Sequence, residues 1–440
     1  MADEPKGLKS LATSWLSRTA RQSGMAAGAA ARLAAGQLGK LASGKGASLA
    51  VDPATQQAIA KRVAATLGEM KGLAMKAGQV ASYLDFAMPQ AAREALAGLQ
   101  DSTPPMTPEV IDRVVTAELG KPPKELFAEW AERPFAAASI GQVHRARTRD
   151  GLDVAVKVQY PGIAQAIEAD LKSAGALQAL GSVVLRHQDH GAIYEELRER
   201  LLEECDYRVE ARNQEEFRRL YADRADMVIP EVVPALSATR VLTTRFAPGK
   251  RFAEFAATAS QEERDRAGEA IWDFAMVSIF RHGLFNADPH PGNYLFAPGQ
   301  VVFLDFGCVK RYAPSFIAQW KRLCLACTFG DRATFDRCVV ELGFAPDPAK
   351  YDFDYHYRMT RAIYEPWLKD EPYLFTEAFV ARTWRTLVVD NPNKFRMNLP
   401  RDFLFVNRVQ WGVYSVLATL RAVSNWRRRL LPVVEGAKAA

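Results

Sequence analysis

Ala287-Asp288-Pro289-His290-Pro291-Gly292-Asn293, followed at a short interval by Leu304-Asp305-Phe306-Gly307, is the stretch on which the reading of this chain turns. Phosphoryl transfer leaves the protein little covalent work. What must be encoded is one carboxylate that receives or orients the nucleophile, and oxygen ligands that gather metal and phosphates. Asp288 fits the first role, and Asn293 with Asp305 fits the second. The spacing is that of a kinase catalytic loop and its metal-binding tetrad.

The same chemistry needs a lysine on a strand upstream, and Val154-Ala155-Val156-Lys157 supplies it. The segment is apolar and β-branched, and Arg149-Asp150-Gly151 before it is a hairpin signal after the strand-like run Gly141 to Arg147. A two-stranded ribbon ending at Lys157 is predicted. A lone VAVK ends many surface strands. In order with the two downstream motifs it marks a nucleotide site.

The chain has 440 residues, 48% of them hydrophobic, enough for a large bilobal body with a substantial core. Its formal charge is +6, and residues 1–50 carry seven of the basic side chains against Asp3 and Glu4. The rest is close to neutral. That asymmetry argues against a nucleic-acid-binding body and for a basic leader able to touch an anionic membrane surface or a partner. Five cysteines without a secretory signal fit a reduced, cytoplasmic setting. Cys324 and Cys327 lie three apart on an apolar helix face with no second Cys or His pair at zinc spacing, so they read as buried packing. No stretch reaches the ~18 apolar residues of a membrane span; Val409 to Leu420 is too short and is flanked by Arg408 and Arg421.

Composition divides the chain into a flexible, basic Ala/Gly-rich leader at 1–52, a helical extension at 53–135, a strand-containing lobe at 136–247 and a helical lobe at 248–440. Pro53 to Asp85 has continuous helical periodicity and contains Lys76-Ala77-Gly78-Gln79. Pro108 to Leu119 is predicted as a helix capped by Thr107. One long amphipathic helix is predicted from about His190 to Tyr221, carrying Glu204, Asp206 and Glu210. Residues 228–246 read as two strands, and Gln261 to His282 as the helix leading to the catalytic loop.

These motifs, taken in order, resemble the UbiB family, also called AarF-like or activity-of-bc1-complex-like, of atypical protein-kinase-like proteins. The resemblance covers most of residues 55–310. It rests on Lys76 to Gln79, on Ala136-Ala137-Ala138-Ser139 with Ile140-Gly141-Gln142-Val143, on Lys157, on Glu204-Cys205-Asp206-Tyr207 with Glu210, and on the two downstream motifs. It implies an α+β, bilobal protein-kinase-like fold whose helical N-terminal extension lies over the cleft. By the same resemblance Lys76 and Gln79 are regulatory, with Lys76 meeting Glu204 and Asp206, while Glu210 pairs with Lys157. Six residues apart on one helix, Glu204 and Glu210 would point to different sides and serve two lysines.

The alanine run stands where protein kinases use glycines to close backbone amides over phosphates, and alanine cannot take positive φ cheaply. The resemblance therefore implies ATP or ADP with Mg2+ as cofactors and restrained phosphotransfer, with hydrolysis favoured over protein phosphorylation. No APE motif follows Gly307, which removes the usual peptide-docking segment. Two positions depart from the family pattern: Asn286, where histidine is common, and Arg245, where an acid is common. The expected function is an Mg-dependent atypical kinase or ATPase supporting ubiquinone or other prenyl-lipid metabolism, with lipid-biosynthesis proteins, prenyl lipid or an anionic membrane as partners. A small-molecule kinase of the aminoglycoside or choline kinase type and a nucleotide-gated scaffold are the alternatives.

Overall fold

The computed structural model describes residues 105–138, 140–168, 199, 201–394, 396–400, 402–403, 406 and 409–436. The leader, the predicted helix with Lys76 and Gln79, and Ser139 lie outside the described residues. The rest is α+β and forms two compact units. Among the described residues the first takes 105–168, 199–208 and 233–244, and the second takes 209–232 and 245–436.

The first unit is built on a five-stranded sheet. β1 (Phe127–Trp130) and β2 (Ala136–Ala138) lie end to end on one edge of β3 (Gly141–Thr148). On its other side β3 pairs with β4 (Asp153–Gln159), with Val143 opposite Lys157 and Arg147 opposite Asp153. Gly151, at φ 88°, closes the connection, as its place after Asp150 predicts. Val154, Val156 and Val158 alternate inward from β4 and are fully buried. Helix α1 (Pro108–Leu119) buries Val110, Ile111, Val114 and Val115. Thr107 holds the predicted cap position, but its side chain makes no capping bond; only its carbonyl serves the helix. A closed polar chain crosses this core. His144 donates from Nδ1 to the Ala131 carbonyl and accepts at Nε2 from Gln142, whose Oε1 takes the Met106 amide. Burial holds the His144 imidazole below its usual range, which keeps it neutral.

The predicted helix from His190 to Tyr221 is not continuous. The chain turns at Glu204–Asp206, and a new helix, α3, starts at Tyr207 and runs to Leu220 (α2 is the single turn Pro123–Leu126). The cause is local. The Cys205 and Asp206 amides close tight turns onto Leu202 and Glu203, and the Tyr207 amide leaves the helix ladder for the Thr239 carbonyl. Asp206 Oδ1 then accepts the Arg208 amide, an Asx turn that competes with helix continuation. Glu204 and Glu210 therefore stand on separate segments, and their divergence does not come from one helix.

In the second unit a four-stranded sheet runs β5 (Met227–Val228), β10 (Gln300–Phe303), β9 (Tyr294–Ala297), β7 (Lys250–Arg251), where β6 (Val241–Arg245) completes the first unit's sheet. Of the predicted strand around 228, only its first residue is strand. α4 (Phe252–Thr258) precedes the central helix α5 (Gln261–His282). α5 begins in a reciprocal capping box between Ser260 and Glu263 and ends on left-handed Gly283. From Ala267 to Phe280 it is apolar almost all round and correspondingly buried, with Trp272 completely enclosed. Against it pack α6 (Pro314–Phe329), α10 (Tyr414–Leu420) and α11 (Trp426–Val434), while α7 (Arg332–Glu341) and α8 (Phe353–Ile363) pack on α6 and α9 (Glu377–Trp384) packs on α10. All five cysteines are free and buried, and Cys324 and Cys327 lie in α6 as the packing reading predicted. Among the described residues no helix is long and apolar enough to cross a membrane.

Candidate active site

The chain after α5 enters β8 (Leu284–Asn286), whose partner is β11 (Val309–Arg311), with Asn286 opposite Val309. The Ala287 amide extends this ribbon by donating to the Cys308 carbonyl at 2.8 Å. The loop carrying Asp288 and the tetrad carrying Asp305 are thereby fastened at both ends. Between them the Leu304 amide donates to the Asn293 carbonyl at 2.8 Å.

The loop is tightly specified. Pro289 and Pro291 restrict its backbone, the His290 amide donates to the Asp288 carbonyl, and the Gly292 amide donates to His290 Nδ1. A 3-10 turn at Pro291–Asn293 then delivers Asn293, whose Nδ2 donates to Asp288 at both the carbonyl (3.0 Å) and Oδ2 (2.9 Å). Asn293 spends its amide nitrogen on Asp288, which leaves Oδ1 as the atom with which it would meet a cation. Asp288 itself is buried.

Asp305 has φ 61°, the left-handed region that non-glycine residues enter at a cost. Three contacts hold the tetrad there. Asn286 Nδ2 donates to the Asp305 carbonyl at 2.9 Å, the Gly307 amide donates to Asp305 Oδ1 at 3.1 Å, and Asn213 Nδ2 of α3 donates to the Phe306 carbonyl at 3.0 Å. Asn213 is in turn held at Oδ1 by Arg311, which also pairs with Glu216. Phe306 is fully buried against Phe217 of α3 and edge-on to Phe274 of α5. The tetrad's ring is thus built into the core.

In the first unit Lys157 projects from β4 with its ammonium 4.9 Å from the centroid of the Tyr207 ring. Gly141 lies beside them. A Cβ there would sit 2.4 Å from the Val158 carbonyl oxygen and 2.9 Å from the Tyr207 hydroxyl, so only glycine lets β3, β4 and Tyr207 close. The three alanines, expected as a loop, form the edge strand β2, paired from Ala136 with Val143 to Ala138 with Gly141. Asp206 is engaged by the Arg208 guanidinium at 2.8 Å, and Glu204 is buried. Glu210 is also buried, in the second unit, whereas Lys157 belongs to the first.

Two contributors escaped the sequence reading. Asn213 carried no motif; its signal was a short polar residue amid the apolar spacing of a core helix. Gly412 lies in a π-helical turn, Val409–Val413, where an added Cβ would lie 2.2 Å from Pro289 Cγ. The C-terminal segment therefore braces the catalytic loop from behind. π-turns of this kind recur at functional sites.

The donors present fit a hard divalent cation. Asp305 offers a carboxylate and Asn293 an amide oxygen, the ligand chemistry of magnesium rather than zinc. Among the described residues no cluster of three His, Cys, Asp or Glu competes for a metal.

Comparison with known proteins gives a family and a fold. Residues 98–338 match the family model described as the ABC1 atypical kinase-like domain. The mitochondrial atypical kinase coq-8 of Caenorhabditis elegans is 29% identical over 84% of this chain and 50% of its own length. The mitochondrial atypical kinase COQ8B of Rattus norvegicus is 30% identical over 84% of this chain and 71% of its own. Among solved structures, Rv3197 of Mycobacterium tuberculosis, in complex with erythromycin, superposes with a TM-score of 0.65 at 28% identity, covering 82% of this chain and 92% of that one. The chain spans about half the length of several relatives it matches.

Proposed function

We propose, from the premise that this chain belongs to the ABC1 (UbiB) family of atypical kinase-like enzymes, that it binds ATP or ADP with Mg2+ and acts as a restrained phosphotransferase or ATPase in support of ubiquinone or another prenyl-lipid metabolism. The observation that carries the reading is the Asn293–Asp288 lock beside a left-handed Asp305, two hard-oxygen donors and a base fastened together by backbone hydrogen bonds.

Asp288 is the proposed base. As the γ-phosphoryl group passes from the nucleotide to an acceptor oxygen, the acceptor's proton goes to the Asp288 carboxylate, while Asn293 holds Oδ2 of that carboxylate in place. Asn293 Oδ1 and Asp305 would hold the metal, which when bound neutralises charge on the phosphates. Lys157, braced by Tyr207, would hold the α- and β-phosphates, and Glu210 is a further proposed nucleotide-binding residue. Ala136, Ala137, Ala138 and Ser139 complete the proposed nucleotide-binding set. Lys76, Gln79, Glu204 and Asp206 form the proposed regulatory set. Prenyl lipid, lipid-biosynthesis proteins and peripheral contact with an anionic membrane are the proposed partners.

The test is hydrolysis of ATP by the purified chain with and without Mg2+ and with liposomes containing a prenyl phenol. Metal-dependent release of phosphate, raised by the lipid, is expected; phosphate release indifferent to metal would contradict the reading. A second reading, transfer to a small organic acceptor, draws on the complex of Rv3197 with erythromycin. Labelled phosphate appearing on a component of a metabolite extract would favour it over hydrolysis.

A further inference from the structure

Asn286 ends β8 two residues before Asp288, and its register is set by pairing with Val309 beyond the tetrad. Its amide orientation follows from the partner: the Asp305 carbonyl can only accept, so the group facing it at 2.9 Å must be Nδ2. That choice leaves Asn286 Oδ1 buried with no hydrogen-bond partner. A buried acceptor without a partner is a cost that an apolar residue of similar shape would avoid. The position keeps an amide all the same, and the one bond this amide makes is to the residue whose backbone is strained, Asp305 at φ 61°.

We propose that Asn286 is the positioning residue for Asp305: its N–H fixes the left-handed turn that aims the Asp305 carboxylate. This rests on the reading of Asp305 as a metal ligand. The contact acts on the backbone of Asp305 and leaves its carboxylate free of Asn286, which separates positioning from ligation. Asn286 also lines a small cavity of about 10 Å3 together with Asp288, Asn293 and Tyr294. That volume is at the lower limit for one water.

Three variants of the full chain test this: Asn286→Leu and Asn286→Ala, which lose the donor, and Asn286→His, which keeps one. Two readouts are taken, the affinity for Mn2+ with ADP by calorimetry, and hydrogen exchange in peptides covering residues 303–309 without metal or nucleotide. Loss of an outer-shell partner typically costs about 10- to 100-fold in metal affinity. The Leu and Ala variants are expected to weaken Mn2+ binding by about tenfold or more and to speed exchange across the tetrad, and the His variant to restore both. Leu and Ala variants with wild-type affinity and wild-type exchange would overturn the proposal. So would a His variant as impaired as they are. If the wild-type chain binds no Mn2+ with ADP, the metal reading fails; exchange then still decides whether Asn286 sets the Asp305 backbone, with faster exchange in the Leu and Ala variants supporting it and unchanged exchange overturning it.

Discussion

Asn293 Nδ2 reaches two oxygens of Asp288, the carbonyl at 3.0 Å and the carboxylate Oδ2 at 2.9 Å, so the proposed base and the proposed metal ligand are oriented as a pair. Side chains that share hydrogen bonds in this way are not independent. Asp288→Asn should keep nucleotide binding and lower turnover by about 10^2- to 10^4-fold, the range that general-base catalysis supplies. Asn293→Ala should impair both turnover and metal-dependent binding. Isothermal titration with ADP and Mg2+ beside a phosphate-release assay separates the two. Equal losses of binding in both variants would show that Asp288 is a ligand and not a base.

Gly412 against Pro289 gives the second prediction. A methyl group at Gly412 would fall 2.2 Å from Pro289 Cγ, and one of the two segments must move. Forcing extra carbon into a close-packed contact costs about 1–3 kcal/mol. Gly412→Ala is expected to lower the melting temperature and to lower turnover further than the stability loss explains. Combining it with Pro289→Ala, which removes the clashing ring, should recover part of the stability. An additive double variant in thermal unfolding would mean that the two residues are not coupled.

Gly141→Ala should act in the first unit. Its methyl would press on the Val158 carbonyl at 2.4 Å and on the Tyr207 hydroxyl, whose ring carries the Lys157 ammonium. Weakened nucleotide affinity is expected with the Asp288 loop undisturbed, seen as unchanged hydrogen exchange across residues 284–297. Unchanged affinity in a folded Gly141→Ala protein would remove Lys157 and Tyr207 from the proposed phosphate site.

His356 makes stability depend on pH. It is buried among Phe335, Phe344 and Tyr351, shares a hydrogen bond between Nδ1 and the Tyr351 hydroxyl, and is pushed by burial from 6.5 down to about 3. The folded state thus resists a proton that the unfolded chain takes up readily. The contribution is complete above pH 6.5 and is lost as pH falls from there towards 3, at up to about 1.4 kcal/mol per pH unit for one proton. His144 is shifted the same way, so the difference between wild type and His356→Gln isolates the effect. Melting temperature measured from pH 7 to pH 4 should fall less steeply in the variant. Parallel curves would show that His356 is protonated in the fold.

The legible parts of the chain were those with local chemistry. The ribbon around Lys157 announced itself through an apolar, β-branched run after an Asp-Gly turn, and α5 takes the span predicted for it, Gln261 to His282. The break at Glu204–Asp206 was missed because apolar spacing continues through it. What ends the helix combines a local Asx turn at Asp206 with the carbonyl of distant Thr239 taking the Tyr207 amide, a tertiary contact that the sequence does not show. The alanine run was read by analogy with glycine loops, yet three alanines extend readily beside β3. Gly412 was invisible for a like reason: its neighbour is Pro289, and nothing in Val409 to Leu420 points there. The triad of Asp288, Asn293 and Asp305 came from spacing alone; Asn286 stood out in the sequence only as a departure from the family pattern, and its bond to Asp305, like that of Asn213 to Phe306, came from the fold.

The most direct test of the central claim is the affinity of the full chain for ADP, measured by calorimetry at saturating Mg2+ and again in excess chelator, for wild type and Asp305→Asn. Asn at this position keeps size and loses the charge that a hard cation needs. The account predicts that wild type binds ADP at least about tenfold more tightly with the metal than without it, and that Asp305→Asn binds equally weakly in both conditions. An Asp305→Asn protein that retains tight, magnesium-dependent nucleotide binding would contradict it.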